Sequence, residues 1–321
     1  MLEQLNKMIE KRLPYITPLC VLSGITFMSF LHSYAFLVPW IFACITFSSS
    51  LGLKIKEIGN TIKKPYPLIA CLIILQVIMP LLAYGIGKIL FPNDIYIITG
   101  LVLAFVIPTG IVSLMWVAIQ KGSSATSLTI ILVNTLLSPF LVPITLKVLL
   151  GANVSLDTLG LMKGLFWMIV IPSVLAIILS HFYRKPCEKV KTTLSPFAKI
   201  GLLVVILINS SVISPYFTQF DLKLVLLMFV LVFLAIIGYV LGMVTAKVFK
   251  WDKEIGISLA YNSGLRNNGV GAALAITYFP PQVTLPIIVA IIFQQVLAAS
   301  MGKFMKKEEK KQEPLLKVAN M

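Results

Sequence analysis

This sequence has few charged residues. Only 12% of its 321 residues are Asp, Glu, Lys or Arg, against 58% hydrophobic residues, and the mean hydropathy is +0.96. A water-soluble domain carries about twice that share of charged residues, so this class of protein is excluded. One membrane-spanning helix takes about 20 apolar residues, which leaves room for about ten such spans. The sequence therefore predicts an all-α polytopic membrane protein.

Cysteine and histidine are rare as well. They are Cys20, Cys44, Cys71 and Cys187, and His32 and His181. The cysteines have neither a CxxC nor a zinc-ligand spacing, and the histidines fall at predicted helix ends. An HExxH motif and the paired aspartates of metal-dependent hydrolysis are both missing. The sequence therefore predicts no membrane-embedded enzyme, no metal centre and no cofactor.

Acidic residues are missing from the predicted membrane core. All twelve lie in connectors, helix ends or termini: Glu3, Glu10, Glu57, Asp94, Asp157, Glu188, Asp221, Asp252, Glu254, Glu308, Glu309 and Glu313. A transporter that couples to protons or cations ordinarily uses a carboxylate inside the membrane, because that group both titrates and binds cations. The usual coupling chemistry is therefore missing, which also disfavours a cation/proton antiporter.

The apolar stretches give ten predicted spans. They are Tyr15–Leu31, Ala35–Leu53, Tyr66–Leu90, Ile95–Ile119, Ser124–Leu150, Leu159–Phe182, Leu194–Phe217, Leu222–Phe249, Ile255–Phe279 and Val283–Phe304. The polar residues before the first span predict a signal-anchor-like first helix. One transmembrane domain is expected over 1–321, as repeats 14–151 and 157–305 with a tail at 306–321.

The net charge of +15 follows the membrane topology. Lys and Arg cluster at both ends of the chain and in the connectors 54–64, 184–191 and 247–253. The positive-inside rule then places both termini, Lys63 and Lys189 in the cytoplasm, and Asp94 and Asp221 outside. We expect a plasma-membrane protein that contacts the lipid bilayer and no nucleic acid, and a monomer is compatible with this pattern.

Two predicted spans are interrupted. The fourth contains Pro108–Gly110, and the ninth contains the polar run Asn262–Asn268. Non-helical backbone at membrane depth must face protein or a water-filled cavity, so we expect the two segments to be non-helical and close together. Their matching positions in two five-span halves predict an inverted-repeat transporter. The alternative is a pair of unrelated proline and small-residue kinks of the kind that membrane bundles often contain.

Arg266 is the one deep charge, because Lys199 lies near enough to the cytoplasmic edge to reach it. A buried arginine must be solvated or paired. Two interpretations stand: carbonyls and amides such as Gln76, Asn262 and Asn267 hold the guanidinium as a brace, or it receives a substrate carboxylate. Half-helix N-termini near Gly110 and Asn268 would attract an anion in either case.

These motifs resemble the bile acid:sodium symporter family over nearly the whole chain. They are Gln76-Val-Ile-Met-Pro80, Pro108-Thr-Gly110, Ser138-Pro139 and Gly264-Leu-Arg-Asn-Asn-Gly269 with Ala272-Ala-Leu-Ala275. The resemblance implies ten helices in a panel and a core domain, two crossing broken helices, and alternating access for organic acids.

The resemblance also assigns positions to two sodium sites, which are altered here. The equivalents are Gln76, Ser113, Leu114, Ser127, Ile131, Asn262, Ser263, Leu265 and Arg266. Asn262 stands where sodium-dependent members have the carboxylate, and Arg266 where they have a glutamine. A guanidinium repels a sodium ion at short range. We therefore expect sodium coupling to be weakened or absent.

The predicted function is secondary transport of a small organic anion, such as a monocarboxylate of the pantoate or keto-acid kind. We expect the substrate to contact Thr109, Gly110, Ile111, Arg266, Asn267, Asn268, Gly269, Gln294 and Gln295. Asn134 is a weaker candidate that could equally form an interhelical hydrogen bond. Alternatives are a conventional sodium-coupled symporter, an arsenite-permease-like carrier, or a non-transporting membrane receptor or enzyme.

Overall fold

The structure is a computed structural model, and it describes residues 2–52, 65–151, 157–216 and 221–319. Its helices are α1 (Leu2–Thr26), α2 (Val38–Ser50), α3 (Tyr66–Leu90), α4 (Ile95–Val106), α5 (Ile111–Ile119), α6 (Ser124–Leu150), α7 (Thr158–Phe182), α8 (Arg184–Val212), α9 (Leu222–Val248), α10 (Lys253–Gly264), α11 (Asn268–Tyr278) and α12 (Thr284–Ala319). Short 3-10 helices cover Ser29–Leu37, Ser214–Tyr216 and Pro281–Val283. These residues contain no β-strand, which confirms the all-α class.

The described helices are long and apolar enough for a multi-pass membrane protein. In the described residues seven helices could each cross a membrane, and the bent pair α4–α5 brings the number to eight. α1 contributes a shorter apolar stretch, Tyr15–Thr26. The multi-pass architecture is confirmed, whereas the count of ten spans stays a prediction.

Aspartate side chains begin three of the helices. Asp94 accepts a hydrogen bond from the Ile97 amide at 2.9 Å, and Asp157 and Asp221 cap α7 and α9 in the same way at 2.8 Å. Such caps satisfy amides that have no partner inside the helix. The acidic residues of these connectors therefore define helix starts.

The first two predicted spans were wrong in detail. α1 ends at Thr26 rather than Leu31, and a 3-10 helix over Ser29–Leu37 leads into α2, where helix from Ala35 was predicted. Apolarity does not distinguish a 3-10 turn from an α-helical one. The start of α2 follows from Pro39 in its first turn, where the missing amide costs nothing.

α8 begins ten residues earlier than predicted. The segment 184–191, expected to be a connector, is helical, and Arg184 pairs with Glu188 one turn on at 3.2 Å. Hydropathy marks only the membrane part of a helix, while pairs spaced by four residues extend it beyond. The predicted basic connector 54–64 with Glu57 and Lys63, and the predicted span ends Leu53 and Phe217, lie outside the described residues.

α3 and α7 each contain a π-helical turn, at Ile74–Ile78 and Phe166–Val170. Each turn precedes a proline, Pro80 or Pro172, by two residues. Proline has no amide to donate to the carbonyl four residues back, and a wider turn is one way to absorb that loss. In α3 the turn contains Gln76, one of the residues singled out from the sequence.

Contacts between connectors define two ends of the bundle. At one end the Lys223 ammonium pairs with Asp94, and the Ser214 hydroxyl donates to the Ile25 carbonyl at 2.6 Å. At the other end the Gly52 amide donates to Ser180 Oγ at 2.8 Å. The grouping agrees with the two predicted sides of the membrane, and which end faces the cytoplasm stays a prediction.

Candidate functional site

The two predicted breaks meet at the centre of the bundle. The Asn267 amide donates to the Pro108 carbonyl at 2.9 Å, and a Cβ placed on Gly110 would lie 3.4 Å from the Asn267 Cβ. α4 and α5 are bent by 55° at their break. Proline removes an amide and glycine relaxes the backbone at this point, so the crossing follows from the local sequence. The prediction that the breaks lie close together is confirmed.

The second break is shorter than predicted. Only Leu265–Asn267 is non-helical, whereas Asn262–Gly264 belongs to α10 and Asn268 begins α11. The side-chain amide of Asn262 forms hydrogen bonds within the protein, as described below. Polarity of side chains was thus mistaken for loss of helix.

Each break exposes the N-terminus of a half-helix. Gly110 precedes α5 and has no side chain to cap it, while Asn267 Oδ1 caps α11 through the Val270 amide at 3.5 Å. The unpaired amides of a first turn and the helix dipole attract negative charge. The N-termini of α5 and α11 lie side by side where the two breaks cross.

A cavity of about 310 Å³ opens beside these half-helix ends. All nine residues predicted to contact substrate line it: Thr109, Gly110, Ile111, Arg266, Asn267, Asn268, Gly269, Gln294 and Gln295. It runs toward Leu13, Lys191 and Lys199, at the end of the bundle that holds Gly52. The lining contains three cationic side chains and no carboxylate among the described residues.

The facing wall was missed by the sequence analysis. It consists of α1, α2 and α8, which contribute Thr17, Phe42, Thr46, Leu202 and Ile206. A Cβ on Gly269 would lie 2.8 Å from the Phe42 ring, so only glycine lets α11 start this close to α2. The residues of this wall are mostly apolar, like those of any membrane-spanning helix. Only the polar residues near the end of α2, Thr46, Ser49 and Ser50, indicate a water-accessible surface.

Arg266 is 97% buried, with a relative exposure of 3%. Its Nε donates to the Phe105 carbonyl at 3.2 Å and its Nη1 to the Asn262 carbonyl at 3.5 Å. Its Nη2 has no partner in the described part of the chain. Of the three predicted brace partners, only Asn262 takes part, through its backbone.

The two glutamines of α12 secure the polar side of the cavity. Gln294 donates to the Arg266 carbonyl at 2.8 Å and accepts from Asn268 at 3.1 Å, while Gln295 accepts from Trp116 Nε1 at 3.1 Å. Backbone carbonyls and side-chain amides thus hold Arg266 in place from two directions. The Nη2 of the guanidinium stays buried and has no hydrogen-bond partner among the described residues.

Comparison with known proteins identifies the fold family. The family described as the sodium bile acid symporter family matches residues 39–220, more than half of the chain. The chain belongs to this family. It is therefore a membrane transporter and not an enzyme.

Bacterial and plant relatives extend this match. The chain is 42% identical to the uncharacterized protein YbaS of Bacillus subtilis. The match covers 96% of this chain and 100% of YbaS. It is 26% identical to the uncharacterized sodium-dependent transporter YocS of the same organism, over 90% and 91% of the two chains. The probable sodium/metabolite cotransporter BASS2 of rice chloroplasts is 22% identical over 80% of this chain and 61% of its own.

The residues predicted to be equivalent to the first sodium site are joined by protein hydrogen bonds. Asn262 Nδ2 donates to Ser127 Oγ at 2.7 Å and to the Ser258 carbonyl at 2.8 Å, and its Oδ1 accepts from Ser113 at 3.0 Å. The remaining equivalents, Leu114 and Ile131, are apolar and line the cavity instead. In this arrangement the side-chain oxygens of Ser113, Ser127 and Asn262 take part in hydrogen bonds within the protein.

The residues predicted to be equivalent to the second sodium site do not lie in one hydrogen-bonded group. Gln76 Nε2 donates to Asn134 Oδ1 at 2.7 Å and is not bonded to Asn262 or Arg266. Asn134 thus forms the interhelical bond that was one of its two interpretations. Ser263 Oγ lies 3.5 Å from the Cys71 sulfur, and Leu265 is buried against the aromatic side chains of α9 and α10. Among described residues no three His, Cys, Asp or Glu side chains form a metal-binding group.

Proposed function

We propose that the chain carries a small organic anion across the membrane by alternating access, with sodium coupling weakened or absent. The observation that carries the proposal is the cavity. Two half-helix N-termini and Arg266 border it, Lys191 and Lys199 extend toward its open end, and no described carboxylate lines it. Fixed positive charge inside low-dielectric walls selects anions.

The size and the walls of the cavity indicate the substrate class. A volume of about 310 Å³ is at the lower end of the range of small-molecule sites, which favours a short carboxylate over a steroid. The carboxylate would contact the amides at Gly110 and Asn268 and the free Nη2 of Arg266. Phe42, Leu202 and the rest of the facing wall would cover an apolar chain.

The environment of Arg266 supports a fixed charge in place of a bound cation. Two carbonyls hold its Nε and Nη1, and the only other polar groups at the sodium-site positions are neutral. Bringing a sodium ion to within a few ångströms of a buried guanidinium costs several kcal/mol even at an effective dielectric constant of about 20. This cost favours a carrier that needs no sodium.

A conventional sodium-coupled symporter is the second candidate. The relatives favour it, because YocS is named a sodium-dependent transporter and rice BASS2 a sodium/metabolite cotransporter. Gln76 Oε1 also has no partner among the described residues and could face an ion. Measurement of sodium dependence separates the two candidates.

The decisive experiment is uptake by proteoliposomes of radiolabelled pantoate and pyruvate, with taurocholate as the bulky comparison. We expect initial rates for at least one small acid that change little when potassium or choline replaces sodium. A steep, saturable rise with sodium concentration would refute the sodium-independent mechanism and support the second candidate. A thermal-shift screen of the same acids gives an independent measure, since a ligand of the folded state raises its melting temperature.

The expected orientation has its own test. Both termini and the open end of the cavity should face the cytoplasm, and the chain should lie in the plasma membrane. Single cysteines at Lys189 and Asp94 report the two sides. An impermeant thiol reagent outside intact cells should label position 94 and not position 189, and the reverse pattern would invert the topology.

A further inference from the structure

Asn209 of α8 is the most deeply buried amide side chain that has nothing to bond. Its exposure is 0%, and neither Oδ1 nor Nδ2 has a hydrogen-bond partner in the described residues. A buried polar group without a partner costs free energy and is rare in folded proteins. The packing around Asn209 in this structure therefore leaves its amide unsatisfied.

The position of Asn209 on α8 points to the cavity. One face of α8 lines it through Lys191, Ser195, Ala198, Leu202 and Ile206. Asn209 follows Ile206 by three residues and Leu202 by seven, so it continues the same face one turn further. This spacing places the amide about one turn beyond Ile206, the last residue of α8 that lines the cavity.

Apolar contacts close the cavity at this level. The start of α11 packs on α2 and α8, since a Cβ on Gly269 would lie 2.8 Å from Phe42 and 3.8 Å from the Leu202 side chain. Further along, Val38 of α2 and Ile287 of α12 are buried in the main hydrophobic cluster. These contacts close the cavity beyond Leu202, on the side of α8 that leads to Asn209.

α2 and α8 each have polar residues near one end of the bundle, and those of α2 line the cavity. At the open end of the cavity, α2 lines the wall with Thr46, Ser49 and Ser50. α8 ends in its own polar cluster, Asn209-Ser210-Ser211. The two clusters lie at opposite ends of the bundle, because Gly52 after α2 is beside Lys191 near the start of α8. α2 and α8 are also the second helices of the two predicted repeats.

We propose that Asn209 lines the substrate cavity in the conformation that opens to the opposite side, where its amide contacts the transported anion. The proposal rests on the proposed transport function. Movement of α11 away from α2 and α8 would uncover the face that continues from Ile206. The wall would then present an amide at one opening as it presents hydroxyl groups at the other.

Ser210 provides a matched control on the same helix. It is 0% exposed and its hydroxyl has no partner among described residues, so it resembles Asn209 in burial and polarity. Its Cβ faces Gly24 of α1, on which a Cβ would lie 2.8 Å away. Ser210 therefore stays inside the α1–α8 contact and should remain covered in both conformations.

Thiol accessibility tests the proposal. Asn209→Cys, Ser210→Cys and Ser49→Cys are made singly in a full-length chain whose four cysteines are replaced by alanine, and the proteins are reconstituted in liposomes. An impermeant methanethiosulfonate reagent should modify Ser49→Cys from the open end, and Asn209→Cys only from the opposite side. Modification of Asn209→Cys should be about tenfold faster than that of Ser210→Cys.

Each result has a definite meaning. If Ser49→Cys reacts and Asn209→Cys reacts from neither side, or from the same side as Ser49→Cys, the proposal is wrong. If Asn209→Cys reacts as expected while the intact protein takes up neither pantoate nor pyruvate, the alternate opening stands. The proposed substrate class then fails alone.

A second variant separates substrate contact from a structural role. Asn209→Leu removes the amide at similar volume, and we expect a higher melting temperature in detergent together with an initial uptake rate about tenfold lower. Ser210→Ala should leave uptake unchanged. A lower melting temperature for Asn209→Leu would show a structural brace and overturn the assignment.

Discussion

The two broken helices differ in what breaks them and in what they offer a ligand. The break between α4 and α5 contains Pro108 and Gly110, which change the backbone and carry no charge. The break between α10 and α11 contains Arg266 and Asn267, which donate hydrogen bonds to the Phe105 and Pro108 carbonyls of the first broken helix. The first break exposes backbone amides at the start of α5, and the second break adds the full positive charge of Arg266. Substitutions in the first break should therefore act through backbone geometry, and those in the second through loss of positive charge.

The largest effect is expected at Arg266. Arg266→Gln should lower initial uptake of the substrate acid about 30-fold or more, because loss of a buried charged partner costs about 2–5 kcal/mol. Arg266→Lys should retain part of the rate, since it keeps the charge without the planar fork. Lys147→Gln, which removes an exposed charge from α6, is the control. Unchanged uptake by Arg266→Gln would leave the guanidinium as a brace alone.

A smaller effect is expected at the first break. Gly110→Val places a branched side chain against Asn267 and over the first amides of α5, and should lower uptake about tenfold, since overpacking costs about 1–3 kcal/mol. Gly85→Val is the matched control, because a Cβ there meets nothing within 4 Å. Equal rates for the two variants would show that the Gly110 surface is not used.

Restoring the family pattern should return part of the lost function. The double variant Asn262→Glu with Arg266→Gln supplies a carboxylate and removes the repelling charge, so uptake should be stimulated by sodium a few-fold, about 1 kcal/mol of coupling. Leu114 and Ile131 still leave the first site short of oxygen ligands. Uptake against sodium concentration measures this, and a sodium response already present in the unchanged chain would contradict the premise.

The smallest effect is on stability alone. Ser127→Ala removes one acceptor from the Asn262 amide and should cost about 1 kcal/mol. Thr26→Ala, which removes an exposed hydroxyl bonded to the Leu22 carbonyl, should cost almost nothing. Melting temperatures in detergent measure both. If the two variants melt alike, the Asn262 cluster is not a rigid part of the core.

The bounds of several helices and the crossing of the two breaks could be predicted from the sequence, because they depend on residues that are close together in the chain. The bounds of α3 and α6 follow from apolar runs that end at polar or turn residues, and both were predicted correctly. The crossing follows from Pro108 and Gly110, whose backbone effects need no partner. The crossing brings seven of the nine expected substrate residues together, while Gln294 and Gln295 join them from α12. Their contact with substrate stays a prediction.

What the sequence did not reveal depends on partners distant along the chain. The bond from Arg266 to the Phe105 carbonyl joins segments 161 residues apart, and backbone carbonyls have no sequence signature. The side chain of Asn262 is bonded to Ser113 and Ser127, which other helices bring to it. The facing wall of α1, α2 and α8 could not be separated from lipid-facing surface, since both are apolar. The 3-10 segment Ser29–Leu37 has no distinct composition.

The hydrogen bond between Asn267 and Pro108 also has an electrical consequence. It ties the two half-helix ends together beside Arg266, so in the proposed mechanism the anion-binding groups would move as one unit. A monoanion bound beside the guanidinium would then cross with no net charge, whereas the empty site would return carrying one positive charge. Moving one charge through the membrane potential is worth about 2.3 kcal/mol per 100 mV. The return of the empty carrier would be the voltage-sensitive step, and a cell interior held negative would favour the inward-facing site.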